Sequence, residues 1–340
     1  MQALAKIAVK LWTAADAEEM LAERTGTRFA VVTRTEGAAR RLAVAALDLR
    51  AGDEVVVAPG TARDVLAGIL DAGALPVFAD VAAADGCLTS VSVAAARTSA
   101  TRAVLVPHAH GAGAQVADLV TDHAVRVVED CTDAFLAETP DGRPAGSTGD
   151  LAFFTFPADG YGVVVTNDHS TATRLRHLRD AGFPPPTLGV RRGLTDGEAE
   201  VLRQRVEVLE AQVAVRRSDA EPLRDELSDL AGLAFPRDLA RHALPVLPLL
   251  IDPRVAGAGN GDYAAALTAA GVAADVGTQP LYRVPGTGNC FRRAAPQVRY
   301  GPGWCPVAED RVARTLVLLH WGPDPADLAR AIRTAHRAIA

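Results

Sequence analysis

The chain has 340 residues, 35 basic and 41 acidic, for a net charge of −6 and no basic run, which excludes the electrostatic footprint of a nucleic-acid or anionic-membrane binder. Its longest apolar runs, such as Leu244 to Ile251, are interrupted by proline and too short to span a bilayer. The four cysteines, Cys87, Cys131, Cys290 and Cys305, lack C-x-x-C spacing, and the amino terminus lacks a basic-then-apolar signal pattern; the expectation is a soluble, reduced, cytoplasmic protein.

Residues 1–24 read as one or two amphipathic helices with Trp12, Met20 and Leu21 turned inward. Phe29 to Thr33 is an apolar strand, followed by Arg34-Thr35-Glu36-Gly37 and a helix whose apolar positions are Leu42, Val44 and Leu47. A strand, a turn and a helix start of this kind hold phosphate in many enzymes, but a carboxylate at Glu36 would repel a dianion there. A turn at Gly52 leads into a strand over Val55 to Val57, with Thr61 as N-cap of a helix running to Ala72. Leu75 to Phe78 and residues 101–107 are further strands, the latter closing on Pro107-His108-Ala109-His110-Gly111. Short β-branched strands alternating with helices predict a parallel sheet covered on both faces.

Val125 to Val128 reads as a central strand that delivers Glu129 and Asp130 to its carboxyl end, where open α/β sheets place their ligands. Beyond it come a helix over 170–181, a break at Pro184-Pro185-Pro186, and a stripe of Leu202, Val206, Leu209 and Val213 at helical spacing. The stripe predicts a helix over 195–217 and a second over 219–231, with Pro222 in the first turn of the latter. From residue 240 the pattern becomes α+β: strands at 244–251 and 272–276, a helix at 260–270, a long loop at 284–304, and a terminal helix at 324–339 opened by Asp324. The division predicted is a helical segment at 1–24, a large α/β domain at 25–232 and a small α+β domain at 233–340.

Six short patterns occur in order: G-D-E-V at 52–55, G-A-x-P-V-F-x-D at 73–80, P-H-x-H-G at 107–111, E-D at 129–130, G-S-x-G-D at 146–150 and V-V-T-N-D at 164–168. With T-L-V-L-L-H-W-G at 315–322, they make nearly the whole chain resemble the DegT/DnrJ/EryC1/StrS sugar aminotransferases, which are fold type I pyridoxal-phosphate enzymes. The resemblance implies a fold type I α/β domain, a small carboxyl-terminal α+β domain, a homodimer, and a small-molecule substrate in natural-product metabolism. It places Asp130 at the carboxylate that pairs with the pyridine nitrogen, and Thr155 at a phosphate-binding hydroxyl.

Against that pattern, lysine occurs only at Lys6 and Lys10. The family's Schiff-base lysine follows Thr155-Phe156, where this chain has Pro157-Ala158-Asp159-Gly160-Tyr161 in a shorter loop. Arginine cannot substitute, because its guanidinium stays protonated and does not condense with an aldehyde. Thr35-Glu36-Gly37 replaces the small residues of the phosphate cup, and Ala62 stands where an aromatic ring stacks on the cofactor. The sequence therefore predicts a site without cofactor, in which Glu36, His108, Asp130, Asp133, Asp159 and Tyr161 carry acid–base chemistry such as cyclisation, dehydration, isomerisation or addition. Two alternatives remain: a lysine-free enzyme using pyridoxal or pyridoxamine phosphate on an amino or keto sugar, and a non-catalytic partner protein.

Several of these residues also have structural readings. Asp130 can cap a following helix, His108 and His110 can be hydrogen-bonded scaffold, and Cys131 is either activated by a helix start or buried and inert. Arg34, Arg40 and Arg41 either meet an anionic substrate or form a solvated helix face. No metal site, P-loop, dinucleotide fingerprint or nucleophile elbow is present in the sequence.

Overall fold

The computed structural model describes residues 12–339 apart from 120–121, 123, 157–159, 182–192, 285, 288–299 and 320–323. Helix α1 (Ala14–Arg24) starts at a Thr13–Asp16 capping box, in which the two side chains satisfy each other's free backbone N–H groups. Strand β1 (Phe29–Thr33) leads to α2 (Glu36–Ala46), β2 (Glu54–Val57), α3 (Arg63–Asp71), β3 (Leu75–Phe78), α4 (Ser90–Ala96), β4 (Thr101–Pro107) and β5 (Arg126–Asp130). Strands β6 (Leu151–Phe156) and β7 (Tyr161–Thr166) form a hairpin, followed by α5 (His169–Ala181).

These strands form a seven-stranded sheet in the order β1-β7-β6-β5-β4-β2-β3. The β3-β2-β4-β5-β6 run is parallel, and β7 is antiparallel to both of its neighbours. Every residue of β6, Leu-Ala-Phe-Phe-Thr-Phe, is buried, as a strand covered on both faces requires. One face packs Val31, Val57, Val128, Phe153 and Val164 under α2, α3 and α5. The other packs Val32, Phe135, Phe154, Phe156 and Val163 against α1 and the first half of α6 (Asp196–Glu226). Gly162 permits the tight seat of α2 on β7, because a Cβ there would stand 2.5 Å from that of Ala39.

A second, four-stranded sheet has the order β10-β11-β9-β8, from β8 (Leu233–Ala234), β9 (Leu247–Ile251), β10 (Ala274–Val276) and β11 (Thr315–Leu318). It packs with α7 (Asn260–Ala269) and α9 (Pro325–Ile339), while α8 (Pro306–Arg314) runs directly into β11. The α/β class, the mainly parallel large sheet and the second small sheet agree with the sequence reading.

Three local expectations change. The two helices predicted over 195–231 are one continuous α6, with Pro222 inside it. Proline there removes one helical hydrogen bond, and the buried stripe of Ala220, Leu223 and Leu227 holds the last turns in line against the second core. The cap of α3 is Ala62, not Thr61, and makes no side-chain hydrogen bond. No helix follows Asp130, so its carboxylate closes a local turn onto the Thr132 N–H instead of capping a helix. Among the described residues no helix is long and apolar enough to cross a membrane.

Candidate functional site

Glu129 and Asp130 are adjacent on β5 and therefore point to opposite faces of the sheet. Glu129 is enclosed. Its carboxylate accepts hydrogen bonds from the N–H groups of Gly146, Thr148 and Gly149 at 2.8, 2.9 and 2.6 Å, and pairs with His108 Nε2 at 2.9 Å. His108 Nδ1 accepts from the Ala114 N–H, so the proton is on Nε2, which donates to Glu129. Burial alone would raise the Glu129 pKa, but His108 and the loop N–H groups outweigh it and hold the carboxyl below its ordinary value. The G-S-x-G-D pattern is thus the anion cradle of Glu129. His108, Glu129 and Cys131 each place a donor atom within 4.8 Å of one another, yet both His108 nitrogens are already engaged.

Asp130 lies at the floor of a cavity of about 270 Å³ at the carboxyl ends of the parallel strands. The walls come from Ala58, Gly60 and Ala62 after β2, His110 after β4, and Thr132 and Asp133 after β5; Thr278 and Arg311 close it from the carboxyl-terminal part of the chain. One Asp130 oxygen accepts from the Thr132 N–H at 3.0 Å, and the other has no hydrogen bond among the described residues. Burial pushes the Asp130 pKa up, opposed by Thr132 and by the charge of Arg40. Asp133 is pushed up to about 6, by burial first and then by the charge of Asp130. The charge of Asp130 thus raises Asp133, and the charge of Arg40 opposes the rise at both aspartates.

Arg40 is the feature that sequence reading leaves undivided within its arginine trio. Arg34 pairs with Glu198 and Arg41 with Asp71, away from the cavity. Arg40 reaches back one turn along α2, bonding Glu36 at 3.1 Å and Asp64 at 3.3 Å, and its field acts on both Asp130 and Asp133. The i,i+4 spacing of Glu36 and Arg40 is legible in the sequence, whereas Asp64 and Arg311 arrive only through the fold.

The remaining candidates separate. Thr155 is buried, on the same face as Asp130, with its hydroxyl 3.4 Å from the Thr132 carbonyl. Tyr161 pairs with Phe156 across the hairpin and packs with the core of the opposite face, away from Asp130. Asp159 lies outside the described residues. His110, in a left-handed conformation at φ 54°, lines the cavity wall, and its pKa is lowered by burial and by Arg311. Cys131 is fully buried with its thiol pKa raised, which makes it inert.

The model of the DegT/DnrJ/EryC1/StrS aminotransferase family matches residues 13–330. A dTDP-3-amino-3,4,6-trideoxy-alpha-D-glucose transaminase of Micromonospora megalomicea is 36% identical over 58% of this chain and 57% of its own length, so that match spans little more than half of the relative. An L-glutamine:scyllo-inosose aminotransferase of Streptomyces griseus is 32% identical over 82% of this chain and 73% of its own. The crystal structure of an aminotransferase from Streptoalloteichus hindustanus superposes with a TM-score of 0.82 at 25% identity, covering 96% of this chain and 91% of that one.

These findings overturn the expectation of a site without cofactor: the family and these relatives are aminotransferases, which points to pyridoxal phosphate. Asp130, which the family resemblance places at the pyridine nitrogen, is retained and lines the cavity. The ring end of the site fits the cofactor: Asp130 lines the cavity with one carboxylate oxygen free of hydrogen bonds among the described residues, and the buried Thr132 hydroxyl has no partner there. The other end is altered, with Ala62 contributing only a methyl group to the cavity wall and Glu36 and Asp64 flanking the start of α2.

Proposed function

Because the chain belongs to the DegT/DnrJ/EryC1/StrS aminotransferase family, we propose that it binds pyridoxal phosphate or its amine form, pyridoxamine phosphate, without a covalent lysine link. The substrate is a polyhydroxylated ring ketone or its amino counterpart, a sugar or a cyclitol, in a natural-product pathway. The observation that carries this reading is the buried, half-unsatisfied Asp130 carboxylate at the floor of the cavity.

The cofactor supplies a conjugated ring able to take up an electron pair and an amine able to exchange with a carbonyl. Asp130 holds a proton at the ring nitrogen, and its burial strengthens that ion pair relative to water. The lysine that would otherwise move protons is missing from the site, and Asp133 takes that part. A carboxyl held near about 6 both accepts and returns a proton close to neutral pH. The His108–Glu129 pair fixes the ends of β4 and β5, which keeps Asp130 and Asp133 in place. Thr155 and Thr132 offer hydroxyls to the ligand. We propose further that the protein works in the cytoplasm as a homodimer, the second copy completing the open side of the cleft.

Titration with pyridoxal phosphate and pyridoxamine phosphate, followed by near-ultraviolet absorbance and melting temperature, tests the reading. Saturable binding of either compound below about 100 µM, with a rise in melting temperature, is expected. An unchanged spectrum and melting temperature with both would sink it, and would leave a non-catalytic partner role.

A further inference from the structure

A second cavity, of about 220 Å³, lies beside the one floored by Asp130 and shares with it a wall of Ala109, His110 and Arg311. Three of its lining groups come from separate parts of the chain: Glu138 from the loop after β5, His242 from the segment leading into β9, and Arg311 from α8. His242 is 2% exposed, and its Nδ1 accepts from the Leu244 N–H at 3.0 Å, so the neutral ring carries its proton on Nε2. Burial keeps the ring neutral, its pKa pushed down to about 3. That Nε2 is buried without a hydrogen-bond partner among the described residues. Arg311 is held by the Ala83 carbonyl and lies against Gly86, where a Cβ would stand 3.0 Å from its Nε. Arg311 and Glu138 are both half-buried, and among the described residues neither forms an ion pair, with the other or with any third group.

These charges decide what the cavity can take. A guanidinium and a carboxylate line one space without meeting, so each is partly desolvated without compensation. An apolar occupant would leave both unpaired, and a phosphate dianion would meet Glu138. At the exposed rim Asp85 and Asp238 balance Arg237 and Arg241, which favours no ligand of large net charge. A zwitterion satisfies both interior charges, and the planar fork of arginine suits its carboxylate. The His242 N–H asks in addition for one neutral acceptor, since a buried donor left unmade is costly. We propose that this cavity binds a free α-amino acid with a side-chain carbonyl, its carboxylate on Arg311, its ammonium on Glu138 and its carbonyl oxygen on His242 Nε2. The site lies outside the Asp130 cavity and needs no cofactor, so it goes beyond the function proposed above.

The test titrates the full chain, without added cofactor, with L-asparagine and L-glutamine, read by calorimetry and ligand-observed NMR. Analogues of the tighter ligand that lack the ammonium, the carboxylate or the side-chain amide follow. Saturable binding below about 1 mM is expected, with each analogue weaker by about tenfold or more. Glu138→Gln should lose the preference over the ammonium-free analogue, to within about threefold of parity. It should bind that analogue as the wild type does, which also shows that its cavity is folded. Arg311→Gln should do the same with the carboxylate-free analogue. The full preference kept in either variant would overturn the inference. No saturation by either amino acid up to about 10 mM would leave the cavity to water alone and overturn it as well. Saturating pyridoxamine phosphate should leave the amino acid bound; complete displacement would move it into the Asp130 cavity and contradict a separate site. If the protein binds the amino acid as expected but no pyridoxamine phosphate, this inference stands and only the proposed function falls.

Discussion

Two neighbouring carboxylates on one strand, Glu129 and Asp130, have opposite surroundings. Glu129 has four hydrogen-bond donors and its pKa is held down; Asp130 has one backbone donor within hydrogen-bonding distance and its pKa is driven up. The first is a closed structural unit that ties the end of β4, the end of β5 and the 146–149 loop together. The second is a buried carboxyl at the cavity with a single backbone hydrogen bond, for which the proposed function supplies a ligand partner, since an unpaired buried carboxylate costs stability. Strand alternation assigns the two roles: one residue faces the enclosing loop and the other the cavity.

The largest effect should come from breaking the closed half. Glu129→Ala leaves three backbone N–H groups and the His108 N–H without acceptors, and should cost about 3–5 kcal/mol in denaturant unfolding; a loss under about 1 kcal/mol would show that the loop is held by other contacts. Opening the other half should affect binding instead. Asp130→Asn should weaken pyridoxamine phosphate by about 100-fold while the melting temperature of the free protein stays level or rises. Loss of stability in place of binding would merge the two roles.

Asp133 sharpens the contrast through pH. Its folded pKa of about 6 exceeds the ordinary value of about 3.9, so the folded state binds the proton more tightly than the unfolded one. Stability is therefore fully present below about pH 4 and declines as pH rises through about 6. Asp133→Asn should accordingly gain about 1–3 kcal/mol over the wild type at pH 7 and nothing below about pH 4, measured by unfolding at both. Equal gains at the two pH values would place the strain elsewhere. Glu129 works in the reverse direction: its depressed pKa contributes stability above the usual carboxylate range that is lost on acidification. The smallest effect belongs to Tyr161→Phe, which sits with the other face's core and should leave cofactor affinity within about twofold by the same absorbance titration.

Much of this architecture is legible in the residues themselves. Phe29–Thr33 and Thr101–Pro107 are strands with the boundaries read from their apolar runs, and the position of Asp130 at a strand's carboxyl end follows from Val125 to Val128. The partition of Glu129 from Asp130 is within reach too, since period-two alternation separates them, but nothing local says which face meets the 146–149 loop. Tyr161 does not join Asp130, because closeness in sequence is not closeness in space. The hairpin pairs Thr155 with Gly162, which puts Tyr161 one position out of phase and on the opposite face. The merged α6 shows a long-range contact overriding a local breaker: Pro222 ends a helix in isolation, and the second core carries it through.

The most direct measurement is the pH titration of the ring nitrogen of ¹⁵N-labelled pyridoxamine phosphate bound to the wild-type protein and to Asp130→Asn. If Asp130 holds that proton, the ring nitrogen should titrate at a pH at least about one unit higher in the wild type than in Asp130→Asn. Coincident titrations in the two proteins would contradict that role for Asp130.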